Sequence, residues 1–86
     1  MPFVLYTRRG CHLCEAAEDM VAALLPAGAH AVIDVDSDAA LVRRFGQRVP
    51  VLAWGDSVVM EGRFDEALLG RLLAAGGPAT GLTSPA

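Results

Sequence analysis

The feature that most restricts this chain is the placement of its two cysteines. Cys11 and Cys14 enclose His12 and Leu13, and the four residues stand between a short apolar run and the start of a helical pattern. Two cysteines placed at random in a chain of 86 residues fall three apart roughly one time in forty. Position adds more than spacing: a Cys-x-x-Cys that follows a strand and heads a helix, within a βαβ pattern, is the context of a redox motif.

The flanking elements are legible. Residues 3–6 are apolar strand formers closed by Thr7-Arg8-Arg9-Gly10, which reads as a buried strand entering a loop. From Leu13 the apolar residues Leu13, Ala17, Met20, Val21 and Leu24 recur at helical spacing, and Pro26 and Gly28 end that helix. Residues 31–36 are β-branched and mostly apolar, and the intervening helix is long enough to cross over, so this second strand is expected to lie parallel to the first. His30, between that helix and strand, is expected at the surface.

Ser37 is the expected cap of a second, short helix, with Asp38 at its positive end, Leu41, Val42 and Phe45 as its apolar stripe and Gly46 as its stop. After Val49-Pro50, Val51–Trp54 and residues 57–60 flank Gly55-Asp56 and predict a tight antiparallel hairpin. Asp65 precedes a third helix carrying Ala67, Leu68, Leu69, Leu72 and Leu73, broken at Gly76-Gly77-Pro78. The order β-α-β-α-β-β-α predicts an α/β, thioredoxin-like, three-layer fold with a four-stranded mixed sheet and three helices, as one domain over residues 1–76 with a flexible tail over 77–86.

Charge and hydropathy exclude other classes. A net charge of −3 and five dispersed aromatics give neither a positive field nor a row of stacking platforms, so nucleic acid is not an expected partner. The apolar runs fall far short of the ~20 residues that a spanning helix needs. The amino terminus, Met-Pro-Phe-Val-Leu-Tyr-Thr-Arg-Arg, has its apolar residues ahead of its charges, the reverse of a secretory signal. A monomeric cytoplasmic protein with reduced thiols and no membrane contact is expected.

Helix geometry suggests the chemistry. The first amides of a helix lack internal partners and the dipole is positive there, so a thiolate at Cys11 is favoured. Cys14, three residues on and less exposed, lies within bonding range. Cys11 is then the attacking thiol and Cys14 the resolving thiol. The alternatives are two inert buried cysteines, or a zinc site; structural zinc wants four ligands and only His12 and His30 remain, so no metal is expected. His12 has two open readings, as a cation stabilising the neighbouring thiolate or as an exposed residue of the helix start. A cis bond at Pro50 would expose the Val49 backbone for strand-like pairing with an extended peptide disulfide.

The segments Tyr6-Thr7-Arg8-Arg9-Gly10-Cys11-His12-Leu13-Cys14-Glu15, Val49-Pro50-Val51-Leu52 and Glu61-Gly62-Arg63-Phe64-Asp65 resemble glutaredoxins, and in particular bacterial glutaredoxin-like proteins carrying Cys-His-Leu-Cys. The likeness covers about residues 3 to 75. It implies a thiol–disulfide oxidoreductase with Cys11 as nucleophile and Cys14 as its partner. It further implies a substrate surface made of His12, Leu13, Val49 and Pro50, Arg8 where many glutaredoxins hold glutathione, and Gly62 and Asp65 as the remnant of the turn for its γ-glutamyl end. The chain departs from the pattern in having His12-Leu13 for Pro-Tyr, Arg48 for the Thr before Val-Pro, and Glu61 in place of a glycine. Those departures imply weak glutathione binding, with Glu61 repelling the ligand's carboxylate.

Arg8, Arg9, Arg43, Arg44 and Arg48 are expected to converge near Cys11 and attract an anionic tripeptide or an acidic partner. Three functions follow. The first is exchange with glutathione-mixed or protein disulfides, with glutathione as co-substrate and no tightly bound cofactor. The second is an electron carrier fed by a thioredoxin-reductase-like protein. The third is a non-catalytic module that holds a metal or iron–sulfur cluster through Cys11.

Overall fold

Alternation along the first strand sets the layering. In β1 (Phe3–Thr7) Phe3, Leu5 and Thr7 are buried and Val4 and Tyr6 partly so, because successive side chains of a strand leave on opposite faces. The computed structural model describes residues 3–26 and 28–74. Over these, β1 is followed by α1 (His12–Leu24), β2 (His30–Asp34), a 3-10 turn (Val35–Ser37), α2 (Ala39–Phe45), β3 (Val51–Trp54), β4 (Ser57–Glu61) and α3 (Glu66–Ala74). The strands form one sheet in the order β2-β1-β3-β4. β1 runs parallel to β2 and antiparallel to β3, and β3 pairs antiparallel with β4. The expected thioredoxin-like architecture is the one observed.

Each face of the sheet has its own core. Phe3, Leu5 and Leu52 pack with Ala17 and Val21 of α1 and Leu69 of α3. On the other face Val51 packs with Val35 and with Phe45 of α2, flanked by Tyr6 and Leu41. Leu5, Val21, Leu52 and Leu69 are fully buried, and each such side chain contributes about 1.5–3 kcal/mol relative to exposure. α1 and α3 therefore cover one face and α2 the other.

Three local expectations are corrected. The second strand spans His30–Asp34 rather than residues 31–36. The Asp34 carboxylate accepts the Asp36 amide at 2.9 Å and the Ser37 hydroxyl donates to the Asp34 carbonyl at 2.7 Å, so local side-chain bonds outcompete the ladder and coil the chain into the 3-10 turn that buries Val35. With Ser37 so used, Asp38 caps α2 by accepting the Ala40 amide at 2.7 Å. His30 is only partly at the surface. It opens β2 opposite Phe3, half-buried, with its Nδ1 enclosed and unpaired among the described residues.

The hairpin turns as expected, Trp54 pairing with Ser57 and Gly55 at φ 58°, a conformation that costs glycine little. The Gly76-Gly77-Pro78 break and the tail over 77–86 lie outside the described residues. Among the described residues no helix is long and apolar enough to cross a membrane.

Candidate redox site

The sheet register brings the site together. Tyr6 of β1 stands opposite Val51 of β3, so the loop leaving β1 toward Cys11 and the Val49-Pro50 segment entering β3 lie at the same end of the sheet. Cys11 is the N-cap of α1, in an extended conformation, and its Sγ accepts the Cys14 amide at 3.1 Å. A side chain with an acceptor satisfies one of the orphan amides of a helix start; here that acceptor is the reactive sulfur.

The two thiols, both free, occupy unlike surroundings. Cys11 is partly exposed and Cys14 fully buried. Burial pushes the Cys14 thiol up to about 12; its hydrogen bond with Cys11 adds to the rise, and the Arg8 backbone amide opposes it. A thiol held protonated does not compete with its neighbour for the first attack.

The residues between the cysteines face outward. The His12 ring is almost wholly exposed, with Nδ1 3.9 Å from a Glu15 carboxylate oxygen, and Leu13 is 38% exposed. On the opposing segment, Val49-Pro50 is a cis peptide. The Val49 backbone is only half available, which corrects the expectation that all of it is exposed. Its N–H donates to the Phe45 carbonyl at 3.0 Å, as the Arg48 N–H does at 2.8 Å. The end of a helix leaves carbonyls without partners, and the chain coiling back from α2 fills that need.

The other residues singled out for substrate have internal partners too. The Arg8 guanidinium reaches both Asp36 carboxylate oxygens, at 3.1 and 2.9 Å, and donates to the Gly46 carbonyl at 3.0 Å. The Gly62 N–H donates to the Pro50 carbonyl at 2.9 Å. The Asp65 carboxylate accepts the Leu68 amide at 3.0 Å and so caps α3. Glu61 is not an isolated negative charge, because Arg48 grips its carboxylate through Nε and Nη2. Asp36 and Glu61 raise the pKa of Arg8 and Arg48 through these hydrogen bonds. Of the five arginines expected near the motif, two are thus neutralised, Arg44 lies 4.8 Å above the Phe45 ring, and Arg9 and Arg43 are exposed.

The sequence reading missed Asp36, Gly46 and the Phe45 carbonyl. Parallel pairing places Thr7 opposite Asp34, so a residue just past β1 meets one just past β2, a consequence that follows as soon as the two strands are parallel neighbours. Among the described residues no three His, Cys, Asp or Glu side chains are grouped to hold a metal ion.

Solved structures of known proteins resemble this chain in fold and in sequence. The X-ray structure of the structural-genomics target protein XcR50 from X. campestris is 37% identical with a TM-score of 0.72, covering 88% of this chain and 99% of that one. Its solution structure gives 38% identity and 0.67, over 91% and 97%. The solution structure of protein Ne2328 from Nitrosomonas europaea is 31% identical with a TM-score of 0.66, covering 83% and 91%. No curated protein matches. The family model described as glutaredoxin-like domain (DUF836) matches residues 3–74, and with the Cys11–Cys14 pair this supports a thioredoxin-fold redox role. The chain belongs to the glutaredoxin-like domain family (DUF836).

Proposed function

We propose that this protein is a thiol–disulfide oxidoreductase in which Cys11 attacks and Cys14 resolves. The observation that carries the reading is the contrast between a partly exposed Cys11, capped by the Cys14 amide, and a buried Cys14. In the forward half-reaction Cys11 gives its proton to solvent and its thiolate attacks one sulfur of the substrate disulfide. A mixed disulfide forms and the first substrate thiolate leaves, taking a proton from solvent. Cys14 then loses its proton, attacks the Cys11 sulfur and expels the second substrate thiolate. The substrate gains two electrons and the protein is left with a Cys11–Cys14 disulfide, which a thiol or dithiol reductant must reopen.

The substrate class is glutathione-mixed or protein disulfides. One set of contacts favours protein disulfides with a reductase-type donor, the second reading. Arg8, Gly62 and Asp65, the groups a glutathione would engage, are each held by Asp36, Pro50 or Leu68, so the tripeptide must displace internal bonds while offering similar ones. An extended protein segment has Leu13 and the Val49 carbonyl edge to meet. The reaction belongs to the cytoplasm, where such a couple is kept reduced.

The test is intact-mass measurement after the reduced protein meets a small disulfide. Cys14→Ser is expected to accumulate one mixed disulfide, located at Cys11 by peptide mapping, and Cys11→Ser to form little adduct. Equal labelling of both variants would remove the assigned roles.

A further inference from the structure

Phe45 carries two guanidinium groups. Arg44 stands 4.8 Å and Arg48 5.4 Å from the centre of its ring, while Tyr6 stacks on the same ring with centroids 4.6 Å apart. A cation held on an aromatic ring keeps its charge and gives up part of its side-chain freedom before any ligand arrives. Glu61 offsets only one of the two. Its carboxylate binds Nε and Nη2 of Arg48 at 2.8–3.1 Å and leaves Nη1 without an acceptor among the described residues. Arg44 is exposed and has no carboxylate within ion-pair distance among the described residues. The backbone ties this cluster to the Val49-Pro50 edge: the Arg48 and Val49 amides both donate to the Phe45 carbonyl, at 2.8 and 3.0 Å, and Gly62, next to Glu61, donates to the Pro50 carbonyl at 2.9 Å.

We infer that Arg44 and Arg48, mounted on Phe45, form a carboxylate-binding patch that selects acidic protein segments as disulfide substrates, with Glu61 as the internal competitor for Arg48. The inference rests on the thiol-exchange reading above and narrows its substrate: the favoured segment carries Asp or Glu beside its disulfide-bonded cysteine. One carboxylate takes Arg44, and a second meets Nη1 of Arg48 or displaces Glu61. The chain as a whole has a net charge of −3, which by itself repels such a segment. A preference for acid is therefore a signature of the local cluster and not of the overall field.

The experiment uses the reduced full chain and three end-blocked peptides that differ only in having Glu, Gln or Lys on both sides of one cysteine, which is joined to pyridinethiol as a mixed disulfide. The Cys11 thiolate attacks the peptide sulfur, the bond to the pyridine sulfur breaks, and the leaving thiolate takes a proton from solvent to become thiopyridone, whose absorbance is followed. Each rate is divided by that of the same peptide with mercaptoethanol, which removes the effect of the flanking charge on the disulfide itself. The Glu peptide is expected to react about fivefold faster than the Gln peptide at low salt, and the Lys peptide more slowly than both. Arg44→Gln is expected to cut the Glu-to-Gln ratio about threefold, and Arg44→Glu to turn the order over in favour of Lys. Arg43→Gln removes a neighbouring exposed charge that is not on the ring, and is expected to leave the ratio close to that of wild type.

A Glu peptide no faster than the Gln peptide, a ratio unmoved in Arg44→Gln, or an equal fall in Arg43→Gln would each overturn the inference. Failure of all three peptides to release thiopyridone with wild type would instead sink the exchange reading on which it rests. Far-ultraviolet circular dichroism of each variant shows that it is folded, and both substituted side chains are exposed.

Discussion

Arg48 and Glu61 close on each other across the beginning of β3 and the end of β4, with Nη2 of one 2.7 Å from Oε1 of the other. Val51 and Glu61 are register partners, so the guanidinium three residues before Val51 reaches the carboxylate alongside the cis Val49-Pro50 step. Arg48 also passes 5.4 Å above the Phe45 ring. The pair leaves no net charge where the sequence alone suggested a repelling carboxylate.

Releasing Arg48 should therefore help an anionic substrate. Glu61→Gln is expected to raise the rate of deglutathionylation about two- to fivefold at low salt, the factor that an exposed ion pair of about 0.4–1 kcal/mol allows. The gain should fade near 1 M salt, where screening acts within about 3 Å, and should vanish in Glu61→Gln/Arg48→Gln. Steady-state rates with a glutathionylated peptide measure this, and a single variant no faster than wild type would refute it.

Buried Cys14 predicts an alkaline limit to stability. Its pKa rises from an ordinary 9.0 to about 12 on folding, so the folded state keeps a proton that the unfolded chain loses first. The contribution is complete below pH 9 and disappears as pH climbs toward about 12. Urea titrations between those limits should show wild type losing stability faster than Cys14→Ala. Parallel slopes for the two proteins would show that Cys14 is not the group responsible.

Phe45 is 1% exposed and stacks on Tyr6 with ring centroids 4.6 Å apart. Phe45→Ala is expected to cost about 3–5 kcal/mol, a large part of the roughly 5–15 kcal/mol that holds a domain together. Chemical denaturation should place its midpoint far below that of wild type. A loss under about 1 kcal/mol would mean that the α2 face of the sheet tolerates a cavity the packing forbids.

Gly46 invites the opposite of the usual expectation. Its backbone is right-handed helical, φ −55° and ψ −31°, where alanine ordinarily gains up to about 1 kcal/mol over glycine. A Cβ there would stand 2.5 Å from the Val42 carbonyl oxygen as well as close to Arg8. Gly46→Ala is expected to lose about 1–3 kcal/mol, and thermal unfolding of a more stable variant would contradict that geometry.

The sequence by itself determined the parts whose signals are local. The period of Leu13, Ala17, Val21 and Leu24 marked α1, Gly55-Asp56 marked the hairpin, and the cysteine spacing at a helix start marked the site, because each depends on backbone geometry within a few residues. The thioredoxin-like order followed from these, since a crossover helix leaves few ways to join the strands. Tertiary structure decided the rest. Whether Arg8 awaits a ligand or is spent on Asp36, whether Glu61 is a bare charge or the partner of Arg48, and whether the Val49 amide is offered or taken by Phe45 all depend on residues brought together from distant positions. A charged or polar group acts through whatever lies within a few ångströms of it, and that neighbourhood exists only once β1, β2 and β3 have paired.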